Sequence, residues 1–326
     1  MSESRKPPAG AAARPVADRP IAVLTGPTGS GKTDLALALA REFPLEIVSV
    51  DSAQVYRAMD IGSAKPPPEI RAQVRHHLLD LVEPNESYSA GQFVRDCIQA
   101  IEDIERRGRV PLLVGGTMLY LRALTGGIAE LPEGSPEVRA RLDAEAAAQG
   151  WPALHARLVT LDPIAAARIH PNDAQRIQRA LEVHAATGKP ISALQSRTAA
   201  ALPREFRLVA LVPDDRARLH AALEQRFIRM MEEGLLDEVR KLFQRGDLTD
   251  VHPAIRAVGY RQLWAHLAGS YSLEIAVERA VAATRQLAKR QMTWLRSMSI
   301  IHSFDPYQAD CFVGVRETLS GSLSPL

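Results

Sequence analysis

An apolar run, Ile21-Ala22-Val23-Leu24, leads into Gly26-Pro27-Thr28-Gly29-Ser30-Gly31-Lys32-Thr33, which matches the phosphate-binding pattern G-x-x-x-x-G-K-[ST] at every fixed position. Nothing else in the chain constrains the fold so tightly. The pattern needs a buried strand before it and a helix after it, and Asp34-Leu35-Ala36-Leu37-Ala38-Leu39-Ala40 supplies helix formers at once. Glycines are required because the loop turns its backbone N–H groups inward around a phosphate, where a Cβ would intrude. The helix N-terminus adds partial positive charge, Lys32 adds a full one, and the Thr33 hydroxyl is a ligand for magnesium. The segment predicts a site for a di- or triphosphate.

A second β-type run, Leu45-Glu46-Ile47-Val48-Ser49-Val50-Asp51-Ser52, ends in a carboxylate. Parallel sheets place their chemistry beyond the carboxyl ends of their strands, so Asp51 is expected beside the bound phosphates. The proline-rich stretch Ile61 to Pro68 predicts a loop over the site, and a helix is expected from Ala90 to Arg107, stopped by Gly108. Val110-Pro111-Leu112-Leu113-Val114-Gly115-Gly116-Thr117 reads as another buried strand. This alternation gives the fold class: α/β, a P-loop-type doubly wound parallel sheet. Ordinary P-loop NTPases end the corresponding strand in an Asp that helps hold magnesium. Here the strand ends in two glycines and a threonine, so the loop is not built to hydrolyse a nucleotide for mechanical work. The glycines are expected to let a ligand approach the backbone closely.

From about Ala129 to Phe206 the texture becomes Ala/Arg/Leu-rich, with helix starts at Ser135-Pro136-Glu137 and Asp162-Pro163. A helical insertion domain over 129–206 therefore divides the core into 20–128 and 207–310, the second part resuming at the strand run Arg207 to Val212 and continuing as helices. Residues 1–19, a Pro/Ala/Arg mixture, are expected to be a disordered tail, and 311–326 a second tail with a frayed polar end from Glu317. With 326 residues, 46% of them apolar, the chain can bury a substantial core, and no apolar run reaches membrane-spanning length. Cys97 and Cys311 are too few for a disulfide framework or metal cluster and are expected to be buried free thiols in a cytoplasmic protein. His76 and His77 are adjacent, without metal-ligand spacing, and are expected to be structural.

The net charge of +2 excludes little, but its distribution is uneven. From Arg279 to Arg296 there are five basic residues and no carboxylate. Arg285, Lys289, Met292 and Arg296 share one helical face, with Arg290 and Gln291 beside it. A solvated basic face would account for that helix alone. Two further segments, Arg256-Ala257-Val258-Gly259-Tyr260-Arg261 and Gln175-Arg176-Ile177-Gln178-Arg179, also interleave arginines with aromatic or amide groups. Together they suit a phosphate backbone with exposed bases, as in RNA loops.

The chain closely resembles bacterial tRNA dimethylallyltransferases, the enzymes that prenylate the adenosine next to the anticodon. The resemblance spans about residues 20–305. It rests on G-P-T-G-S-G-K-T from Gly26, V-D-S-A-Q-V-Y from Val50, M-D-I-G-S-A-K-P from Met59 and L-L-V-G-G-T-M-L-Y from Leu112. It continues through R-I-H-P-N-D-A-Q-R-I-Q-R-A-L-E-V from Arg168, A-I-R-A-V-G-Y-R-Q from Ala254 and A-T-R-Q-L-A-K-R-Q-M-T-W-L-R from Ala283. The resemblance implies that Gly26 to Thr33 hold the diphosphate of dimethylallyl diphosphate rather than ATP in a kinase role, with Mg2+ on Thr33. It implies Asp51 as the base for the adenine N6 amine, Thr117 as the group orienting the amine or the departing oxygen, and Arg226 on the diphosphate. It places Asp51, Ser52, Ala53 and Gln54 along the tRNA anticodon stem-loop, with Arg139 and Gln175 to Arg179 (Gln175, Arg176, Ile177, Gln178, Arg179) from the insertion. Arg256, Ala257, Val258, Gly259, Tyr260 and Arg261 join them, as do Lys289, Arg290, Gln291, Met292, Thr293, Trp294, Leu295 and Arg296. The expected state is a monomer with no membrane partner. Two other readings share the loop: a small-molecule kinase, and an RNA-binding P-loop switch without chemistry. The RNA-suited C-terminal third weighs against the first, and Asp51 beside the loop weighs against the second.

Overall fold

A computed structural model describes residues 19–324 apart from 128, 130, 133 and 196–201. The tail expected over 1–19 therefore lies, but for Arg19, outside the described residues. Through the first part of the chain the elements are β1 (Ile21–Thr25), α1 (Lys32–Glu42), β2 (Leu45–Val50), α2 (Pro68–Gln73), β3 (His76–His77), α3 (Ala90–Arg106), β4 (Val110–Gly115) and α4 (Met118–Gly126). Then come α5 (Pro136–Gln149), α6 (Trp151–Leu161), α7 (Pro163–Ala166), α8 (Ala174–Thr187) and α9 (Ile191–Gln195). The chain continues with β5 (Phe206–Leu211), α10 (Arg216–Glu232), α11 (Leu235–Phe243), α12 (Tyr260–Leu267), α13 (Leu273–Leu295), β6 (His302–Phe304) and α14 (Cys311–Leu323). It divides into two compact units, one running up to Arg122 and again from Pro203, the other Ala123–Leu202.

In the first unit six strands form one sheet in the order β3-β2-β4-β1-β5-β6, every pair parallel. β1, β2 and β4 are buried along their whole length, as expected of strands covered on both faces. The register fixes the site. Val50, Gly115, Thr25 and Ala210 stand level across β2, β4, β1 and β5. The residues just past that line, Asp51, Gly116 and Gly26, therefore emerge side by side from neighbouring strand ends. Two strand spacings, about 10 Å, separate the first from the last.

β3 and β6 are absent from the sequence reading: two and three residues are too few to show a period, and both exist only as edge pairings. His77 ties β3 down through its Nε2, 2.6 Å from the buried Glu46 carboxylate. The expected tail over 311–326 is corrected. Cys311, Val315, Leu319 and Leu323 recur every four residues on α14 and are all buried in the same apolar cluster as Ala22, Leu24 and Leu211. The polar residues from Glu317 onward only coat its outer face. A second cluster joins Val55, Tyr56 and Met59 to Phe227, Leu235, Val239, Tyr260 and Ala276 of the C-terminal helices. Both cysteines are free and buried.

The second unit is helical throughout its described residues. Leu142, Leu154, Leu158, Ile177, Leu181 and Val183 make its core. Asp162, buried, caps α7 through Ala165 N at 2.9 Å and also accepts from the Ser192 hydroxyl and amide.

Candidate active site

The loop after β1 has the geometry that the glycines predicted. Gly26, Gly29 and Gly31 have φ of 151°, 78° and 77°, conformations that side chains disfavour. Gly26 is also pinned sterically, since a Cβ there would lie 2.5 Å from the Leu211 carbonyl. Gly31 caps α1 without any side-chain hydrogen bond, leaving the helix N-terminus with its own N–H groups to offer. Lys32 curls back over the loop, its Nζ 3.0 Å from the Gly26 carbonyl and 2.7 Å from that of Pro27. The Ser30 hydroxyl is buried within the loop with no partner among the described residues.

Arg226 comes to the same place from α10, whose Leu223 packs against Gly29. It makes no ion pair or hydrogen bond among the described residues. Burial holds its guanidinium below the ordinary arginine range, with Asp51 and Asp34 acting in the opposite direction. Lys32 is pushed down to about 7, first by burial and then by Arg226, with Asp51 opposing. Two cations poor in solvation thus stand near each other at the phosphate loop, Lys32 lying against the carbonyls of Gly26 and Pro27. Such an arrangement is costly by itself and becomes favourable around a polyanion.

Asp51 stands at the end of β2, one carboxylate oxygen accepting from Ala53 N at 2.8 Å and Gln54 N at 3.4 Å. Its second oxygen has no hydrogen bond among the described residues. Thr117, after β4, receives the Ser52 amide on Oγ1 at 3.0 Å, while its own N–H donates to Val50 O at 3.1 Å. Asp51 and Thr117 are therefore fixed together beside the loop. The two glycines ahead of Thr117 serve a different contact from the ligand approach expected of them. A Cβ on Gly115 would meet Val50 O at 2.2 Å, and one on Gly116 would meet Gln291 Nε2 at 2.6 Å. They bring protein against protein.

Gln291 is the consequence. Buried on α13, it accepts from Thr28 N and donates to Gly116 O, each at 2.8 Å. One amide side chain thereby fastens the phosphate loop to the β4 end. Its two partners lie 263 and 175 residues away in sequence, so no local signal could have revealed it. Glu238 was likewise missed: it accepts from the amides of Asp60, Ile61 and Gly62 and from the Tyr260 hydroxyl at 2.5 Å. Lys65, buried, completes that loop with Asp60, Asp80 and the Tyr56 carbonyl.

Several residues expected along the RNA are buried or have side chains engaged within the protein. Ile177, Gly259, Tyr260, Gln291 and Leu295 are buried, because consecutive residues of a helix point in all directions and some must face the core. Met292 packs on Leu219 and Leu223, and the Gln54 side chain is spent on Ser49, Ser63 and Ala64. In the second unit Arg139 and Arg179 both grip the buried Glu182, at 2.8 and 2.7 Å, and Gln178 binds Asp143. Ser52, Gln175, Arg176, Arg256, Arg261, Lys289, Arg290, Thr293 and Arg296 remain exposed, as does Arg139 beside its ion pair with Glu182. Trp294 is half-buried beneath the Arg122 guanidinium, and Arg285 pairs with Glu224 at 2.7 Å. His76 and His77 are structural, and no group of three metal-ligating side chains occurs among the described residues.

Comparison with known proteins places this geometry. A family model described as IPP transferase matches residues 54–298. The tRNA dimethylallyltransferase of Thioalkalivibrio sulfidiphilus is 56% identical over 292 residues, 89% of this chain and 91% of the relative. That of Methylibium petroleiphilum is 58% identical over 280 residues, 84% and 86% of the two chains. Among solved structures, a tRNA isopentenylpyrophosphate transferase from Bacillus halodurans superposes with a TM-score of 0.68 at 35% identity, covering 94% of this chain and 97% of that one. A eukaryotic dimethylallyltransferase acting on tRNA superposes at 0.76 with 29% identity, covering 92% and 78%.

Proposed function

This chain belongs to the IPP transferase family, and on that premise we propose that it transfers the dimethylallyl group of dimethylallyl diphosphate to the N6 amine of the adenosine next to the anticodon of tRNA, releasing diphosphate. Neither a kinase nor a non-catalytic switch has a counterpart among these relatives. The observation that carries the site assignment is the pair of desolvated cations, Lys32 and Arg226, without carboxylate ion pairs among the described residues at the phosphate loop. They are matched to the charge that grows on a departing diphosphate.

In the step itself the allylic C–O bond breaks, its electron pair going to the diphosphate oxygen. The N6 lone pair forms the new C–N bond, and the N6 proton passes to the unengaged oxygen of Asp51. That lone pair is delocalised into the ring, so attack without a base is slow. Thr117, tied to Ser52 next to Asp51, orients the incoming amine or the leaving oxygen. The adenine must leave the anticodon stack to arrive there, at a cost of a few kcal/mol.

Magnesium fits the donor chemistry here. Thr33, exposed on the first turn of α1, offers a hard oxygen, and the described residues contain no preformed metal cluster. The ion would be shared between Thr33, the diphosphate and water, where it neutralises charge on the leaving group. The tRNA contacts proposed are the exposed Ser52, Arg256, Arg261, Lys289, Arg290, Thr293 and Arg296, with Arg139, Gln175 and Arg176 of the second unit.

Lys32→Ala and Arg226→Ala test the assignment. Each should raise KM for dimethylallyl diphosphate tenfold or more while tRNA affinity stays close to the parent's. ATP should compete for the loop without being consumed. Product formation coupled to ATP hydrolysis would overturn prenyl transfer.

A further inference from the structure

Between α12 and α13 lies a groove of about 510 Å³, lined in part by Arg261, Ala265, Tyr271, Arg279, Ala282 and Gln286. The reaction described above uses none of its α13 residues. Its volume lies within the range of sites for small organic ligands, and no carboxylate lines it. Tyr271 is held at its hydroxyl, which donates to Gln262 O at 3.0 Å, and at its backbone carbonyl, 2.9 Å from His266 Nδ1. Over its ring lies the exposed Arg279 guanidinium, 4.5 Å from the centroid. An arginine drawn onto a held aromatic has less side-chain freedom left to lose, and the exposed guanidinium stays open to a second planar partner. Ala282 and Ala283, with small side chains, leave room beside it. Along α13 the residues Arg279, Ala283, Gln286 and Arg290 follow at steps of four, three and four, one continuous helical face. The groove therefore runs on into the basic surface assigned to tRNA.

We propose that this groove seats one nucleotide of the tRNA strand other than the reacting adenosine. Its base lies on the Arg279 guanidinium and its phosphate on Arg261. RNA recognition commonly stacks an unpaired base on an arginine plane, and the absence of lining carboxylates admits the backbone. The proposal rests on the tRNA reading of α13 given above and extends that surface by three helical turns.

The test is steady-state kinetics and a salt series of binding, with an unmodified tRNA anticodon stem-loop, on Arg279→Ala, Ala282→Trp and Arg290→Ala, each checked for folding by thermal melting. Ala282 is exposed, so the tryptophan fills the groove rather than the core. Loss of one stacked base should raise KM for RNA about fivefold to a hundredfold in the first two variants, with KM for dimethylallyl diphosphate as in the parent. Arg279→Ala should leave the salt slope nearly unchanged, because Arg261 and not Arg279 meets the phosphate, whereas Arg290→Ala should flatten it by about 0.7. If Arg279→Ala and Ala282→Trp bind RNA as the parent does while Arg290→Ala is impaired, the groove is not an RNA site. If all three are silent, the tRNA reading of α13 fails with it.

Discussion

Lys32 carries the sharpest residue-scale consequence. Its ammonium titrates near 7 in the free protein, lowered first by burial and then by Arg226. A bound diphosphate raises that value, so binding above pH 7 must take up a proton. The lysine's contribution to diphosphate affinity is therefore full below pH 7 and declines as pH rises through it. Diphosphate also gains charge over this range, and Lys32→Arg, which does not titrate there, removes that common effect. The affinity ratio of the parent to Lys32→Arg for inorganic diphosphate should fall several-fold between pH 6.5 and 8.5 by calorimetry. A constant ratio would show that Lys32 stays charged throughout. The same depression costs stability. Between about 7 and the ordinary lysine range the unfolded chain binds the extra proton, so the free protein should gain stability as pH rises through that window. Lys32→Met, which removes the titrating group, should flatten this rise, read as Tm against pH, while abolishing use of the allylic substrate. For Asp51, the proposed proton acceptor, Asp51→Ala should lower kcat by roughly 10²–10⁴. Turnover within threefold of the parent would remove it from that role. These groups were legible because a phosphate loop and a strand-end carboxylate are local patterns. The partners of Glu238 and Gln291 were not, because each joins segments far apart in sequence.

At the scale of elements, α13 does two things at once. Its outer face carries Lys289 and Arg290, while its inner face sends Gln291 to the phosphate loop and to β4. Gln291→Ala leaves two polar backbone groups unpaired, roughly 1–3 kcal/mol each. It should therefore raise KM for dimethylallyl diphosphate at least tenfold while RNA affinity changes less than twofold. The reverse pattern would return Gln291 to the RNA surface. The central strands were readable because burial on both faces writes itself into adjacent residues, and α3 because Gly108 marks its end; its capping box at Ser89 is seen only in the structure. In α14 the four-residue apolar repeat was present but diluted by serines and charges, and only the sheet it covers makes it a helix worth forming. Leu319→Ala, at a fully buried position of that repeat, should cost about 2–5 kcal/mol in denaturant unfolding, which a frayed tail would not.

For the whole molecule, parallel register gathers Asp51, Thr117 and the phosphate loop at the carboxyl end of one sheet, and the helices after β5 bring Arg226 and Gln291 to it. Under the proposed function this places a diphosphate cradle beside a carboxylate base, Asp51 and Gly26 standing two strand spacings, about 10 Å, apart. The most direct test is to incubate the purified protein with magnesium, dimethylallyl diphosphate labelled in its allyl group and unmodified tRNA, then digest to nucleosides. The account predicts label only in N6-dimethylallyl adenosine, one diphosphate released per label incorporated, and no requirement for ATP. Label in another nucleoside, or none while ATP is consumed, would contradict it.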